Sequence, residues 1–164
     1  MQLKETRAAL NEFGKYVVQQ SRSNLTKGKK NASKRLYDSI GYTIVNENGK
    51  LSIEFEMEDY GEFQDKGVSG KKRKYDTPYS YKDKMPPPSA LDKWIVRKGL
   101  KGTRDEKGKF ISRKSLQFMI ARSIYNNGIK PSLFFTKPFE KAFERLPKEL
   151  IDKFVLDIEK EFDQ

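Results

Sequence analysis

The sequence predicts an α+β protein: a long N-terminal helix and C-terminal helices packed on a small antiparallel sheet, with a basic helical insertion. Three patterns predict it. Between Leu3 and about Leu25, the apolar residues Leu3, Leu10, Phe13 and Val17 recur at spacings of seven, three and four, which puts one stripe on an amphipathic helix. From Ile40 to Glu58, side chains alternate with period two around an Asn-Gly pair, as in a hairpin. Near the end, Phe139, Ala142, Phe143 and Leu146 form a helical stripe that Leu150, Ile151, Phe154, Val155, Ile158 and Phe162 continue.

The first helix is weakened at Ser21-Arg22-Ser23-Asn24, and Lys27 to Asn31 reads as a loop. Lys34 to Ser39 predicts one more helical turn leading into a strand, where Ile40, Tyr42 and Ile44 alternate with Gly41, Thr43 and Val45. Asn46-Glu47-Asn48-Gly49 supplies the turn. In the second strand Leu51, Ile53, Phe55 and Met57 face inward, and Ser52, Glu54, Glu56 and Glu58 face outward. Asp59 to Gly70 is a corner, with Tyr60 and Phe63 one turn apart and Gly67 placed to end that turn. Residues 68–88 have no period and carry Lys71-Lys72-Arg73-Lys74, three tyrosines and Pro86-Pro87-Pro88. A stretch this long is either functional or poorly ordered. Ser89 reads as the cap of a short helix bearing Leu91, Trp94 and Ile95 that stops at Gly99. Ser112 caps a longer one with Leu116, Met119, Ile120 and Ile124 on one face, ending at Gly128. Lys130 to Phe135 is extended, Thr136 caps the next helix, and Pro147 kinks it or starts another.

The composition narrows the chemistry. The chain has 164 residues, no cysteine and no histidine, which removes thiolate metal sites and the commonest general base. No apolar run approaches the roughly 20 residues of a membrane span, so no membrane partner is expected. The net charge of +11 is concentrated in residues 61–130, where 18 Lys/Arg face 7 Asp/Glu. Such a block suits a polyanionic neighbour, nucleic acid or an acidic protein surface, as well as a solvated lysine-rich face.

Three constellations bear on function. Gly67-Val68-Ser69-Gly70-Lys71-Lys72 has glycines and lysines but lacks the glycine spacing and following hydroxyl of a phosphate-binding loop. Glu54, Glu56 and Glu58 with Asp59 could hold Mg²⁺ for a nuclease, although glutamates on the outer face of a strand are also what a solvated sheet shows. The basic loop Lys71, Lys72, Arg73 and Lys74, with Tyr75, Tyr79 and Tyr81 interleaved, could track a nucleic-acid backbone or dock on a partner.

Three segments in order resemble the tail-completion, or head–tail connector, proteins of tailed bacteriophages: Leu36-Tyr37-Asp38-Ser39-Ile40, Asp59 to Gly67, and Lys130 to Phe139. That family shows a leucine-x-x-serine-isoleucine entry to its first strand. It also shows a tyrosine-alanine-x-phenylalanine-x-glutamate-x-glycine corner after a hairpin, and a proline-phenylalanine-leucine entry to its last helix. Here Gly61 stands at the small position, Gln64-Asp65-Lys66 replaces the acidic one, and Leu133-Phe134-Phe135 replaces the apolar pair. The resemblance covers residues 1–69 and 129–164 of one expected domain and leaves 70–128 as an insertion. It implies a non-enzymatic virion structural protein of the neck or tail, made in the host cytoplasm, with no catalytic residue, metal or cofactor. It further implies a homo-oligomeric ring around the DNA channel between portal and tail, in contact with adjoining neck proteins and nonspecifically with packaged DNA. Tyr60, Phe63, Gly67, Leu133, Phe134 and Phe135 would then form the core of the motif. Glu54, Glu56 and Glu58 would face the neighbouring protomer. The alternative is a phage DNA-binding protein or metal-dependent nuclease.

Overall fold

In the computed structural model, which describes residues 3–100 and 104–162, helix α1 spans Lys4–Lys27. It does not stop at the polar stretch 21–24. Arg22 donates to the carbonyls of Tyr37 and Ile40 at 3.0 Å each, and Asn24 donates to the carbonyl of Phe134 at 3.2 Å. These tertiary bonds hold the last turns that local propensity leaves weak. Helix α2 is Arg35–Ser39, followed by β1 (Gly41–Glu47) and β2 (Lys50–Glu56).

The hairpin is antiparallel, with Tyr42 opposite Phe55 and Ile44 opposite Ile53. Asn48 and Gly49 make the two-residue loop, with φ of 52° and 79°. Positive φ at both central residues is the turn whose twist matches that of the flanking strands. Leu51, Ile53 and Phe55 pack on the core, while Glu54 and Glu56 are exposed, as the alternation predicts. Glu58 departs from that pattern, because the ladder ends at Glu56. The Glu58 amide donates to the Ser39 hydroxyl, and its carboxylate meets Arg35 at 3.1 Å.

Helices α6 (Thr136–Phe143) and α7 (Leu146–Phe162) complete the first of two compact units, residues 1–28, 35–58 and 133–164. Its core has two connected parts. Phe134, 1% exposed, packs with Val18, Leu25, Leu36 and Ile40, while Phe13, Val17 and Leu10 meet Leu146. Phe55 joins them, with its ring edge-on to Phe13, Phe135 and Phe139 at 5.9, 5.3 and 5.9 Å. Edge-to-face geometry suits the ring quadrupoles and adds to the burial term. The leucine, serine and isoleucine of the strand-entry motif all have structural work here: Leu36 and Ile40 are buried, and the Ser39 hydroxyl donates to the Leu36 carbonyl.

Two details of the C-terminal helices differ from expectation. Thr136 is the first residue of α6, not its cap, because the amides of Lys137 and Phe139 already reach the carbonyls of Leu133 and Phe135. Pro147 stands in the first turn of α7, where it lacks no needed donor. More importantly, α7 turns only part of its apolar surface inward. Leu146, Leu150 and Asp157 face the core side, leaving Ile151, Phe154, Val155 and Phe162 exposed.

The reason is a long-range cap. The Asp157 carboxylate, 3% exposed, accepts from the amides of Glu5 and Thr6 at 2.9 Å each and from the Thr6 hydroxyl at 2.7 Å. The two amides are orphan donors of the first turn of α1. Burial alone would raise this carboxyl, but the three donated hydrogen bonds outweigh it and hold Asp157 below its usual range. Beside it, Lys160 meets Glu5 at 2.7 Å, which lowers the Glu5 carboxyl and raises the lysine.

The second unit comprises residues 29–34 and 59–132. It contains α3 (Tyr60–Lys66), a 3-10 turn (Pro88–Leu91), α4 (Asp92–Arg97) and α5 (Arg113–Asn127). Val68 and Ile129 form an antiparallel bridge, each amide donating to the other's carbonyl at 2.8 Å. The border expected at 69/70 and 128/129 passes beside this bridge, so the corner 59–69 and residues 129–132 share a unit with the basic segment. Ser112 caps α5 by accepting from the Ser115 amide. Ser89 is not a cap: it lies inside the 3-10 turn that Pro87 precedes. Asp92 instead links α4 to α5, its carboxylate accepting from Nε and Nη2 of Arg113 at 2.5 and 2.7 Å and from the Gln117 side-chain amide at 2.6 Å. Ala121, Leu116, Ile120 and Ile124 lie on the inner side of α5, and Met119 is exposed.

Candidate nucleic-acid interface

The second unit holds 21 Lys/Arg against 8 Asp/Glu, a net +13, and the first holds 13 against 15, a net −2. The basic loop is the best-defined part of that surface. Its centre is Ser69, whose amide donates to the Tyr79 carbonyl and whose carbonyl accepts from the Tyr81 amide, both at 2.9 Å. The Ser69 hydroxyl accepts from the Tyr75 amide at 2.9 Å and donates to the Tyr75 carbonyl at 3.2 Å. Thr77 donates to the Gly67 carbonyl at 3.0 Å. One buried serine therefore closes a loop that shows no period in the sequence.

The loop is also fastened to the end of α5. The Lys71 amide donates to the Tyr125 carbonyl, and the Lys72 and Arg73 amides donate to the Asn126 carbonyl, at 2.9 to 3.2 Å. These are the carbonyls that a helix end leaves unpaired. Two glycines permit the approach. A side chain on Gly70 would strike the Asn126 carbonyl, and one on Gly128, whose φ is 71°, would strike the Val68 carbonyl.

The four basic residues split in two. Lys74 donates to the Gly70 carbonyl at 2.8 Å, and the Arg73 guanidinium lies 5.4 Å from the Tyr75 ring centre. Both help to shape the loop. Lys71 and Lys72 project from a backbone held by the helix end, and both are exposed. Elsewhere in the unit Lys82, Lys84, Lys93, Arg97, Lys114 and Arg122 are exposed, as are the rings of Trp94, Phe110 and Phe118. Arg104 stacks 3.7 Å over Phe110 in a small turn whose Asp105 carboxylate accepts from the Lys107 and Lys109 amides. Cations held on a fixed backbone and rings open to solvent suit phosphate contact with base stacking.

The corner residues fall elsewhere than in a core. Tyr60 and Phe63 are 39% and 40% exposed, because the seven-residue α3 buries Gly61 and Asp65 instead. Phe63 covers Tyr79, ring to ring at 4.7 Å. The Glu62 carboxylate is held low by the Lys66 ammonium at 2.8 Å and by the Tyr79 hydroxyl, and both of those groups are raised in turn. Gly67 does end the helix, with φ of 76° and its amide on the Phe63 carbonyl. Phe134 and Phe135 are core residues of the first unit, and Leu133 holds the left-handed backbone (φ 51°) that leads into α6.

The carboxylates of Glu54, Glu56 and Glu58 do not converge. The first two stand on the outer face of β2 and the third is engaged by Arg35, and among the described residues no three acidic, histidine or cysteine side chains gather as a metal-binding group. The central role of Ser69 is absent from the sequence reading; its only sequence signal is a small hydroxyl residue between Gly67 and Gly70. Compared with protein-family models, with curated proteins and with solved structures, the chain matches none.

Proposed function

We propose that this chain is a non-enzymatic virion protein of the tailed-phage neck, one protomer of a ring joining portal to tail around the DNA channel. Its second unit is the part that meets a polyanion. The observation that carries the polyanion contact is the segregation of charge, net +13 on one unit and −2 on the other. An even coat of lysines kept for solubility would not be sorted in this way. The neck assignment is supported by the three motif segments in their order. A long N-terminal helix with an antiparallel hairpin is also the arrangement which that resemblance implies.

A DNA-binding protein is the second reading, favoured by the exposed rings among the cations. Binding of a labelled 20-base-pair duplex at rising salt separates the two. A channel-lining protomer binds weakly and without sequence preference, with a dissociation constant of about 1 µM or weaker at physiological salt, and the purified chain assembles into rings whose mass is a fixed multiple of the protomer. Nanomolar, sequence-selective binding by a protein that never forms rings would replace the neck reading with the second one.

A further inference from the structure

We propose that α7 is a self-association face, through which two copies of this chain pair as antiparallel helices about a twofold axis between residues 153 and 154. The helix carries two stripes. Leu146, Leu150, Lys153 and Asp157 recur at spacings of four, three and four on the side engaged with α1. A second stripe, Ile151, Phe154, Val155, Ile158 and Phe162, lies about a third of a turn round the helix. Ile151 and Phe162 are 64% and 86% exposed. With Phe154 and Val155, exposed as well, the bare apolar surface is on the order of 450 Å², within the range of the largest patch on a monomer. A pair would bury roughly 900 Å² of this surface, the size of a weak, transient interface.

The occupant follows from charge and register. Lys148 and Glu159 are eleven residues apart, three helical turns, so they share one flank of the bare stripe. In an antiparallel twofold pair each flank meets itself reversed, so Lys148 of one copy opposes Glu159 of the other, twice. That same register interleaves the apolar residues. The partner's Phe154 and Val155 fall at the levels of 153 and 152, and its Ile151 and Ile158 at the levels of 156 and 149. Val155, Ile151 and Ile158 thus enter gaps between the side chains of the other copy, while the two Phe154 rings meet across the axis, where offset aromatic packing is favourable. A parallel pair would set this flank against the opposite flank of the partner, so Lys148 and Glu159 would not face each other and the ion pairs would be lost. The pairing does not rest on the neck reading, since a twofold contact closes on two copies whereas a ring needs a heterologous one.

Sedimentation of the full chain from about 1 to 100 µM tests it, with variants checked for an unchanged helical spectrum and unfolding midpoint. The expected result is a concentration-dependent doubling of mass in the micromolar range, of the protomer or of any ring it forms. Ile151→Glu, at an exposed site, should weaken it by about 100-fold or more. Lys148→Glu and Glu159→Lys should each weaken it about tenfold, and the double exchange should restore it to within about threefold. No doubling of mass up to about 100 µM would overturn the proposal. So would a doubling of mass that persists in Ile151→Glu, or a double exchange that does not restore pairing.

Discussion

The two units of this chain are held together by different means. Among the described residues, the first buries Leu10, Phe13, Val17, Val18, Leu25, Leu36, Ile40, Phe134 and Leu146, with an aromatic cluster around Phe55. Among its described residues the second has only Val68, Ile95 and Ala121 as buried hydrophobic residues, and depends on backbone hydrogen bonds between loops and on the Asp92 network. The charge follows the same division. A unit with a sufficient apolar core can be close to neutral, whereas one carrying +13 must oppose its own repulsion with few apolar contacts. The second unit is therefore the one whose stability should respond to salt and to a bound polyanion.

The sharpest way to break this contrast is at Phe55. Phe55→Ala removes the ring shared by Phe13, Phe135 and Phe139 and should cost about 3–5 kcal/mol, read as a lowered denaturant midpoint. In the second unit the corresponding weak point is backbone contact. Gly128→Ala should cost about 2 kcal/mol or more, since the methyl group meets the Val68 carbonyl at a positive φ. Amide exchange would show the loss at Lys71, Lys72 and Arg73, protected in the wild type and fast in the variant, with the amides of α1 unchanged. Rapid wild-type exchange at those three would mean that the loop is not fastened to α5.

Asp157 sharpens the first unit's side. Asp157→Ala should cost about 1–2 kcal/mol, as for a lost helix cap. Its carboxyl is lower in the folded chain than in the unfolded one. Its stabilising contribution is therefore complete above the unfolded value of about 4 and is lost as pH falls through the folded value. Wild type should thus lose stability relative to Asp157→Ala below about pH 4, and parallel pH profiles would refute the cap. The smallest effects belong to the surface. Lys71→Glu with Lys72→Glu should leave the unfolding midpoint nearly unchanged and lower the salt slope of DNA binding by about two. Glu54→Ala should change stability by less than about 0.5 kcal/mol, against the several lost at its neighbour Phe55.

Much of the first unit is legible in the sequence because its signals are local. Alternation and an Asn-Gly pair specify the hairpin within about twenty residues, and the cap at Ser112 and the stop at Gly128 are equally local. The apolar run of α7 misleads for the opposite reason. Its period marks a helix correctly, but two stripes are available and nothing nearby says which one turns inward. The corner likewise shows a helical spacing for Tyr60 and Phe63, while Gly61 and Asp65 take the buried side. Of the candidate interface, the sequence shows the charge and the tyrosines, and it shows neither the Ser69 hub nor the fastening to α5.

By itself, then, the sequence determined which segments are helix and strand, the hairpin register and where the positive charge lies, since propensity, periodicity and turn chemistry act within a few residues. Only the tertiary structure decided which faces are buried. Asp157 turns its side of α7 inward because the amides of Glu5 and Thr6, some 150 residues earlier, have no acceptor within α1 and donate to its carboxylate. The Lys71–Arg73 backbone is set in place because the last carbonyls of α5 need donors. A backbone group left without a partner at a helix end is satisfied by whatever the fold brings to it, and that choice is not written in the residues on either side.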